Sequence, residues 1–231
     1  FGLAFWPPGP EPRFLYVGET GRVVRYPYHT GDLRASGPAE VIVPSLPEGG
    51  HWTRDVAFSP HGARMYVSVG SASNADALAV IWDADRAAVL QFDPKGRPAG
   101  HLANGLWNCV GLAVQPDGTV MCAVNERDGL GDDLPPDYVT RVRPGGFYGW
   151  PWYYIGAHED PRSPGRRPDL ASAVTVPDVL IQPHSAWRCA GGAARVLEPG
   201  QADRLQSGAR ADAGRGADGR VSGRADGVRA G

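Results

Sequence analysis

Lysine is almost missing from this chain: Lys95 is the single one among 23 basic residues, and arginine supplies the rest. Neither sign of charge dominates. With 25 acidic residues the formal charge is −2, which leaves no basic field to hold nucleic acid or an anionic membrane. No apolar run approaches the roughly 18 residues that a membrane-spanning helix needs, so no membrane span is expected. The three cysteines (Cys109, Cys122, Cys189) are odd in number and lack metal-ligand spacing. They argue against a disulfide framework and leave the redox compartment open. The opening Phe1-Gly2-Leu3-Ala4-Phe5 has no initiator Met and no basic stretch before an apolar one, so it reads as a strand entered mid-chain rather than an export signal.

Glycine and proline are plentiful. The 32 Gly and 22 Pro make up about 23% of the 231 residues, roughly twice the usual share, which argues against a helical bundle. Seven Trp, eight Tyr and six Phe supply the bulk for a core, so disorder throughout is excluded. The composition is uneven, however. Residues 187–231 hold 10 Gly, 10 Ala and 8 Arg, with no aromatic after Trp187. Such a segment buries too little apolar area to offset about 1–2 kcal/mol of backbone entropy per residue. The expected organisation is therefore a folded part, residues 1–186, and a low-complexity Gly/Ala/Arg tail, residues 187–231, disordered or frameshifted.

A repeat organises the folded part. Three segments share an apolar strand, a Pro- or Gly-bearing turn and a second apolar strand: Gly2–Gly18, Asp55–Ser68 and Gly111–Ala123. In the second and third the turns are Ser59-Pro60-His61-Gly62 and Gln115-Pro116-Asp117-Gly118, where Pro sets φ and Gly accepts a positive φ. Each unit then adds a further strand, at 22–26, 87–92 and 138–142. Three short strands per unit, repeated about every 50 residues, fit the four-stranded blades of a β-propeller, with a β-sandwich as the alternative fold. About three blades are expected, where closure takes roughly 4–8.

The repeat also indicates where a site would lie. Aligning Val56 with Leu112 brings His51 into register with Trp107 and Trp52 with Asn108. Connections that enter the innermost strand of each blade open at one mouth of the channel, so His51, Trp107 and Asn108 are expected to face a common space. A lone histidine in a loop is as readily a satisfied structural residue, although Gly49-Gly50 would permit close backbone approach there. The acidic cluster Asp128, Asp132, Asp133 and Asp137 reads on its own as turn chemistry and solvated surface.

Longer motifs carry a resemblance. The run Gly49-Gly50-His51-Trp52-Thr53-Arg54-Asp55-Val56-Ala57-Phe58-Ser59-Pro60, the block Leu106-Trp107-Asn108-Cys109-Val110-Gly111-Leu112, and the stretch Asn125-Glu126-Arg127-Asp128-Gly129-Leu130-Gly131-Asp132-Asp133-Leu134 are three of them. The fourth is Gly145-Gly146-Phe147-Tyr148-Gly149-Trp150-Pro151. Together they resemble the pyrroloquinoline quinone (PQQ) dependent sugar dehydrogenases, the sorbosone, pyranose and soluble glucose dehydrogenase group. The resemblance runs from about residue 1 to Ala186. It implies an all-β, six-bladed propeller of the quinoprotein glucose dehydrogenase type, of which about three blades are present. It implies oxidation of a sugar or sugar aldehyde with PQQ and Ca2+ as cofactors, a downstream electron acceptor, and a periplasmic or extracellular location. By the same resemblance His51 is the general base, Asn108, Trp107 and Arg54 contact the cofactor, and the backbone carbonyls of Asp128 and Gly129 bind calcium.

Two positions depart from the family pattern. Trp107 stands where the family commonly has an Arg, and Ser71 where the glucose-oxidising branch has an Asp behind the base. After Gln182-Pro183-His184-Ser185-Ala186 the apolar strand of the next blade is missing, and with it the Lys and Arg residues that pair with the PQQ carboxylates. Whether the chain itself is an enzyme is therefore left open. A non-catalytic propeller fragment and a lactonase-type metal-dependent hydrolase are the alternatives.

Overall fold

A computed structural model of the chain describes residues 2–74 and 85–185. The tail expected over 187–231 lies outside the described residues. The first sheet is built in chain order from β1 (Leu3–Trp6), β2 (Phe14–Gly18), β3 (Val23–Pro27) and β4 (Glu40–Val43). The second runs outward from β5 (Val56–Phe58) through β6 (Met65–Val69) and β7 (Ala88–Phe92) to β8 (Pro98–Asn104). The third starts with β9 (Asn108–Val114), β10 (Val120–Asn125) and β11 (Asp137–Arg141). An excursion then carries β12 (Gly146–Phe147), β13 (Tyr153–Tyr154), β14 (His158–Glu159) and a 3-10 helix (Pro168–Ala173) before β15 (Val179–Ile181) closes that sheet beside β11.

These sheets are three blades of a β-propeller. Within each, the four successive blade strands pair antiparallel in chain order. The innermost strands β1, β5 and β9 lie side by side, which a two-sheet sandwich would not do. The repeated hairpin turns form as their residues dictate: Gly62 and Gly118 take φ of 67° and 89°, each following a proline by two residues. Sequence pattern marked the first three strands of every blade; β4, β8 and β15 were not marked, being short or half-exposed.

Alternation along the strands explains how blades stack. Met65, Val67 and Val69 of β6 pack towards the first blade, in one cluster with Tyr16, Val23 and Phe58. Tyr66, on the opposite face of the same strand, joins Leu112, Cys122, Val124 and Tyr138 of the third blade. A strand buried on both faces reads as a nearly continuous apolar run, as Met65-Tyr66-Val67-Ser68-Val69 does with Ser68 its one polar residue. On the first blade Leu3 (62% exposed) and Phe5 (47%) show apolar side chains to solvent.

The reading of the cysteines is corrected. Cys109 and Cys122 form a disulfide between β9 and β10, with Cα atoms 5.9 Å apart. Their separation of 13 residues carries no recognisable spacing, but an antiparallel hairpin folds it back on itself. Cys189, which made the count odd, lies outside the described residues.

Half-buried Asp55 links two blades, and buried Arg127 braces the third. The Asp55 carboxylate accepts hydrogen bonds from the amides of Val56 (3.0 Å) and Leu112 (2.8 Å), tying β5 to β9. Burial raises its pKa, and these two amide donors work against that rise. Arg127, with its side chain fully enclosed, donates to Glu126 (3.0 Å), Asp160 (3.0 Å) and the carbonyls of Pro151 (3.2 Å) and Tyr153 (2.7 Å). Its guanidinium carbon also sits 4.6 Å over the Trp150 ring. The excursion after β11 is therefore pinned to the third blade through one arginine.

Candidate active site

Three connections meet at one end of the blades: the loop before β5, the loop after β6, and the turn from β8 into β9. His51 comes from the first, Ser71 from the second, and Trp107 and Asn108 from the third. Backbone bonds join them in series. The His51 amide donates to the Ser71 carbonyl (3.0 Å) and the Ser71 amide to the Trp107 carbonyl (2.8 Å). Gly70 makes the close approach possible. A Cβ there would stand 2.5 Å from His51 Cβ and 2.6 Å from Asn108 Oδ1, so no side chain fits.

The protonation of His51 follows from its neighbours. Nδ1 lies 2.9 Å from Ser71 Oγ and 3.1 Å from the Ser71 carbonyl oxygen. Ser71 Oγ already donates its one proton to the Ser73 carbonyl (2.7 Å), so towards His51 it can only accept. Both partners are acceptors, so Nδ1 carries the hydrogen and Nε2 keeps the lone pair. Burial lowers the His51 pKa below its usual value; the Ser71 bond and Asp128 oppose that shift, while Arg86 and Arg54 add to it. The imidazole thus stays neutral, with Nε2 able to take a proton.

Trp107 closes one side. Its ring stands edge-on to His51 with centroids 4.2 Å apart, and it meets Trp150 at 6.2 Å. Trp107 and Asn108 are both buried, and Trp107 Nε1 and Asn108 Oδ1 have no hydrogen-bond partner among the described residues. The structure thus brings His51, Trp107 and Asn108 together, as the repeat alignment anticipated.

Arg54 is turned elsewhere. It is fully buried and donates to the carbonyls of His51 (2.7 Å), Thr53 (2.8 Å) and Pro47. Burial and the nearby Arg86 push its pKa down to about 10. Arg86 braces the same loop through the carbonyls of Gly49 (3.0 Å) and Glu48. These two arginines shape the loop that presents His51, a role the sequence does not show because it depends on which way each guanidinium points.

Asp128 and Gly129 lie exposed in the loop after β10, Gly129 with φ of 87°. The Asp128 carbonyl accepts from Arg162 (2.9 Å), and its carboxylate contacts Asn74 (2.6 Å) and His184 Nδ1 (3.1 Å). The bond to the Gly131 carbonyl (3.1 Å), followed by the Asp128 contact, raises the His184 pKa. The acidic cluster divides. Asp132 and Asp133 are exposed, whereas Asp137 is buried in β11 and accepts from the Glu126 amide (2.8 Å). Among the described residues no group of three or more His, Cys, Asp or Glu side chains could hold a metal. A metal here would have to draw on other donors, such as backbone oxygens.

Comparison with known proteins gives a consistent relationship. The model of the TrAA12-like family matches residues 2–145. No curated protein matches the chain. Among solved structures, the calcium structure of a Trichoderma reesei carbohydrate-active enzyme of family AA12 is 21% identical with a TM-score of 0.66, over 79% of this chain and 56% of that one. The holo PQQ domain of Coprinopsis cinerea pyranose dehydrogenase is 20% identical with a TM-score of 0.66, over 84% and 57%. The PQQ-bound aldose sugar dehydrogenase of Streptomyces coelicolor is 20% identical with a TM-score of 0.57, over 79% and 53%. The chain spans little more than half the length of these structures, and at such identities they establish the fold.

Proposed function

Because the chain belongs to the TrAA12-like family, we propose that it supplies the base-bearing half of a PQQ- and Ca2+-dependent dehydrogenase for a sugar or sugar aldehyde of the aldose or sorbosone type. The observation that carries this reading is the oriented His51: a half-buried, neutral imidazole whose Nδ1 proton is spent on Ser71, leaving Nε2 to accept a proton from a substrate hydroxyl. Bound PQQ would supply the electron acceptor, and calcium would polarise it.

The residues present fit these groups in part. Asn108 Oδ1 and Trp107 Nε1 lack partners beside His51 and offer an acceptor and a donor to a flat heterocycle. The Asp128 carbonyl spends one lone pair on Arg162 and retains the other for calcium; Gly129, in the same exposed turn, adds a second carbonyl. Arg54 and Arg86 are committed to loop carbonyls, so partners for the PQQ carboxylates would come from further blades. With Trp107 at the family's Arg position, a rim without that cation gives less stabilisation to charge developing on the acceptor. The sugar substrate and the downstream electron acceptor belong to the same proposal, as does a periplasmic or extracellular location, which the Cys109–Cys122 disulfide supports. A lactonase-type site would need metal-holding carboxylates, and the described residues contain no such group. A non-catalytic module remains the second reading, favoured by the exposed Leu3 and Phe5 on the first blade.

Completing this half with the remaining blades of a family member, loading that chain with PQQ and Ca2+ and following dye reduction by aldoses tests the proposal. Turnover that falls about 10²–10⁴-fold in His51→Ala is the expected result. Absence of turnover in the loaded chain, or turnover indifferent to His51→Ala, overturns it.

A further inference from the structure

The groove enclosed between β8 and the excursion that follows β11 has no part in the reading above. The excursion is stitched to β8 at both of its first strand residues: Gly146 pairs with Ala103 and Phe147 with Asn104, in parallel. The Gly145 amide adds a bond to the Leu102 carbonyl (2.7 Å) and the Tyr148 amide one to the Asn104 carbonyl (2.9 Å). Its far side is held by Thr175, whose amide donates to the Phe147 carbonyl (2.6 Å). Beneath this strap lies a cavity of about 330 Å³, lined among others by His101, Asn104, Phe147, Trp152, Arg167 and Leu170. That volume falls at the small end of the range for ligand sites, which are mainly apolar with a few convergent polar groups. The lining residues come from β8 and from the excursion.

Its chemistry selects a ligand class. Phe147 and Leu170 give an apolar wall suited to the C–H face of a ring. The Arg167 guanidinium carbon lies 4.9 Å over the Trp152 ring, and its charge is matched by Asp169 at 2.9 and 2.8 Å. His101 Nε2 meets Asp85 at 2.7 Å, so this second potential cation also has an acidic partner. With both balanced, the groove holds no surplus positive charge for a phosphate or carboxylate. Asn104 supplies an unmet polar group: its side-chain oxygen is buried with no hydrogen-bond partner. Rotating that amide towards the cavity lets a ligand hydroxyl complete it. Hydroxyl groups around an apolar ring face, with no net charge, describe a neutral sugar unit.

We propose that this groove binds a neutral saccharide at the periphery of the second blade, on a site separate from His51 and independent of any cofactor. It would hold a glycan against the outer edge of the propeller whether or not the channel end oxidises sugars.

The test uses the full chain without cofactor. Neutral malto-, cello- and xylo-oligosaccharides are titrated while tryptophan fluorescence and backbone amide shifts of residues 101–104 and 145–148 are followed. Binding of at least one series, with shifts confined to these segments, is expected. Asn104→Ala should weaken it about tenfold; because the Asn104 oxygen has no partner, the change forfeits no side-chain oxygen hydrogen bond, and an unaltered melt confirms the fold. Phe147→Ala should abolish binding, and His51→Ala should leave it unchanged. No binding by any series, binding that survives both groove variants, or preference for inorganic phosphate over the neutral sugars overturns the proposal. Since no turnover is measured, failure of the dehydrogenase reading would not register in this result.

Discussion

Breaking the Cys109–Cys122 bridge is a sharp test of the hairpin that carries Asn108 into the site. The bridge closes 13 residues between adjacent strands, with both sulfurs buried in the contact between the second and third blades. Cross-linking a loop of this length removes chain entropy from the unfolded state worth about 3 kcal/mol at 25 °C. A double Cys109→Ala, Cys122→Ala variant should therefore unfold at a urea concentration lower by about 1–3 M, given slopes of about 1–3 kcal/mol per molar for small proteins. The assay is equilibrium urea unfolding of variant and oxidised parent, with a thiol titration of the unfolded, unreduced parent alongside. One free thiol per chain, from Cys189, is expected. Three free thiols, or coincident unfolding midpoints, would refute both the pairing and the loop-entropy argument.

Removing the enclosed cation in Arg127→Ala leaves Glu126 and Asp160 without it, and breaking one partner of a buried ion pair costs about 3–5 kcal/mol. Thermal unfolding should fall by about 6–20 °C on the scale for domains of this size; a change within 2 °C would count against the strut. Gly70→Ala places a Cβ against His51 and Asn108, so the His51 ring-proton resonances, shifted by Trp107, should move by NMR; an unchanged spectrum would contradict the packing. His51 should titrate below about 6.5, because burial disfavours its cation. As a group whose pKa is depressed on folding, it destabilises the fold as pH drops from about 6.5 towards the folded pKa, where only the unfolded chain takes up the proton. An NMR titration with its midpoint above 6.5 would remove the basis for a neutral base.

Much of the fold was legible in the amino-acid order because blade construction is local. Val56-Ala57-Phe58, a Pro-Gly turn and Met65-Tyr66-Val67-Ser68-Val69 specify a hairpin within 14 residues, and the third blade repeats the device. Register between these repeats was enough to bring His51 near Trp107 and Asn108. What escaped the sequence was non-local or directional. The disulfide needed the pairing of β9 with β10, and the strand β12 needed a partner, β8, more than 40 residues upstream.

Side-chain direction also had to come from the tertiary structure. Arg54 occupies a motif that invites a cofactor contact, yet its guanidinium turns to the carbonyls that shape the His51 loop. Ser71 orients the imidazole because its own proton is drawn away to Ser73, a fact of hydrogen-bond direction that no spacing encodes. The sequence by itself determined the repeat, the hairpins and the mouth at which His51 and Asn108 arrive from successive blades. Only the tertiary structure decided which groups are buried, which are paired and which stay unmet, because burial and hydrogen-bond geometry depend on chain segments far apart in the order of residues.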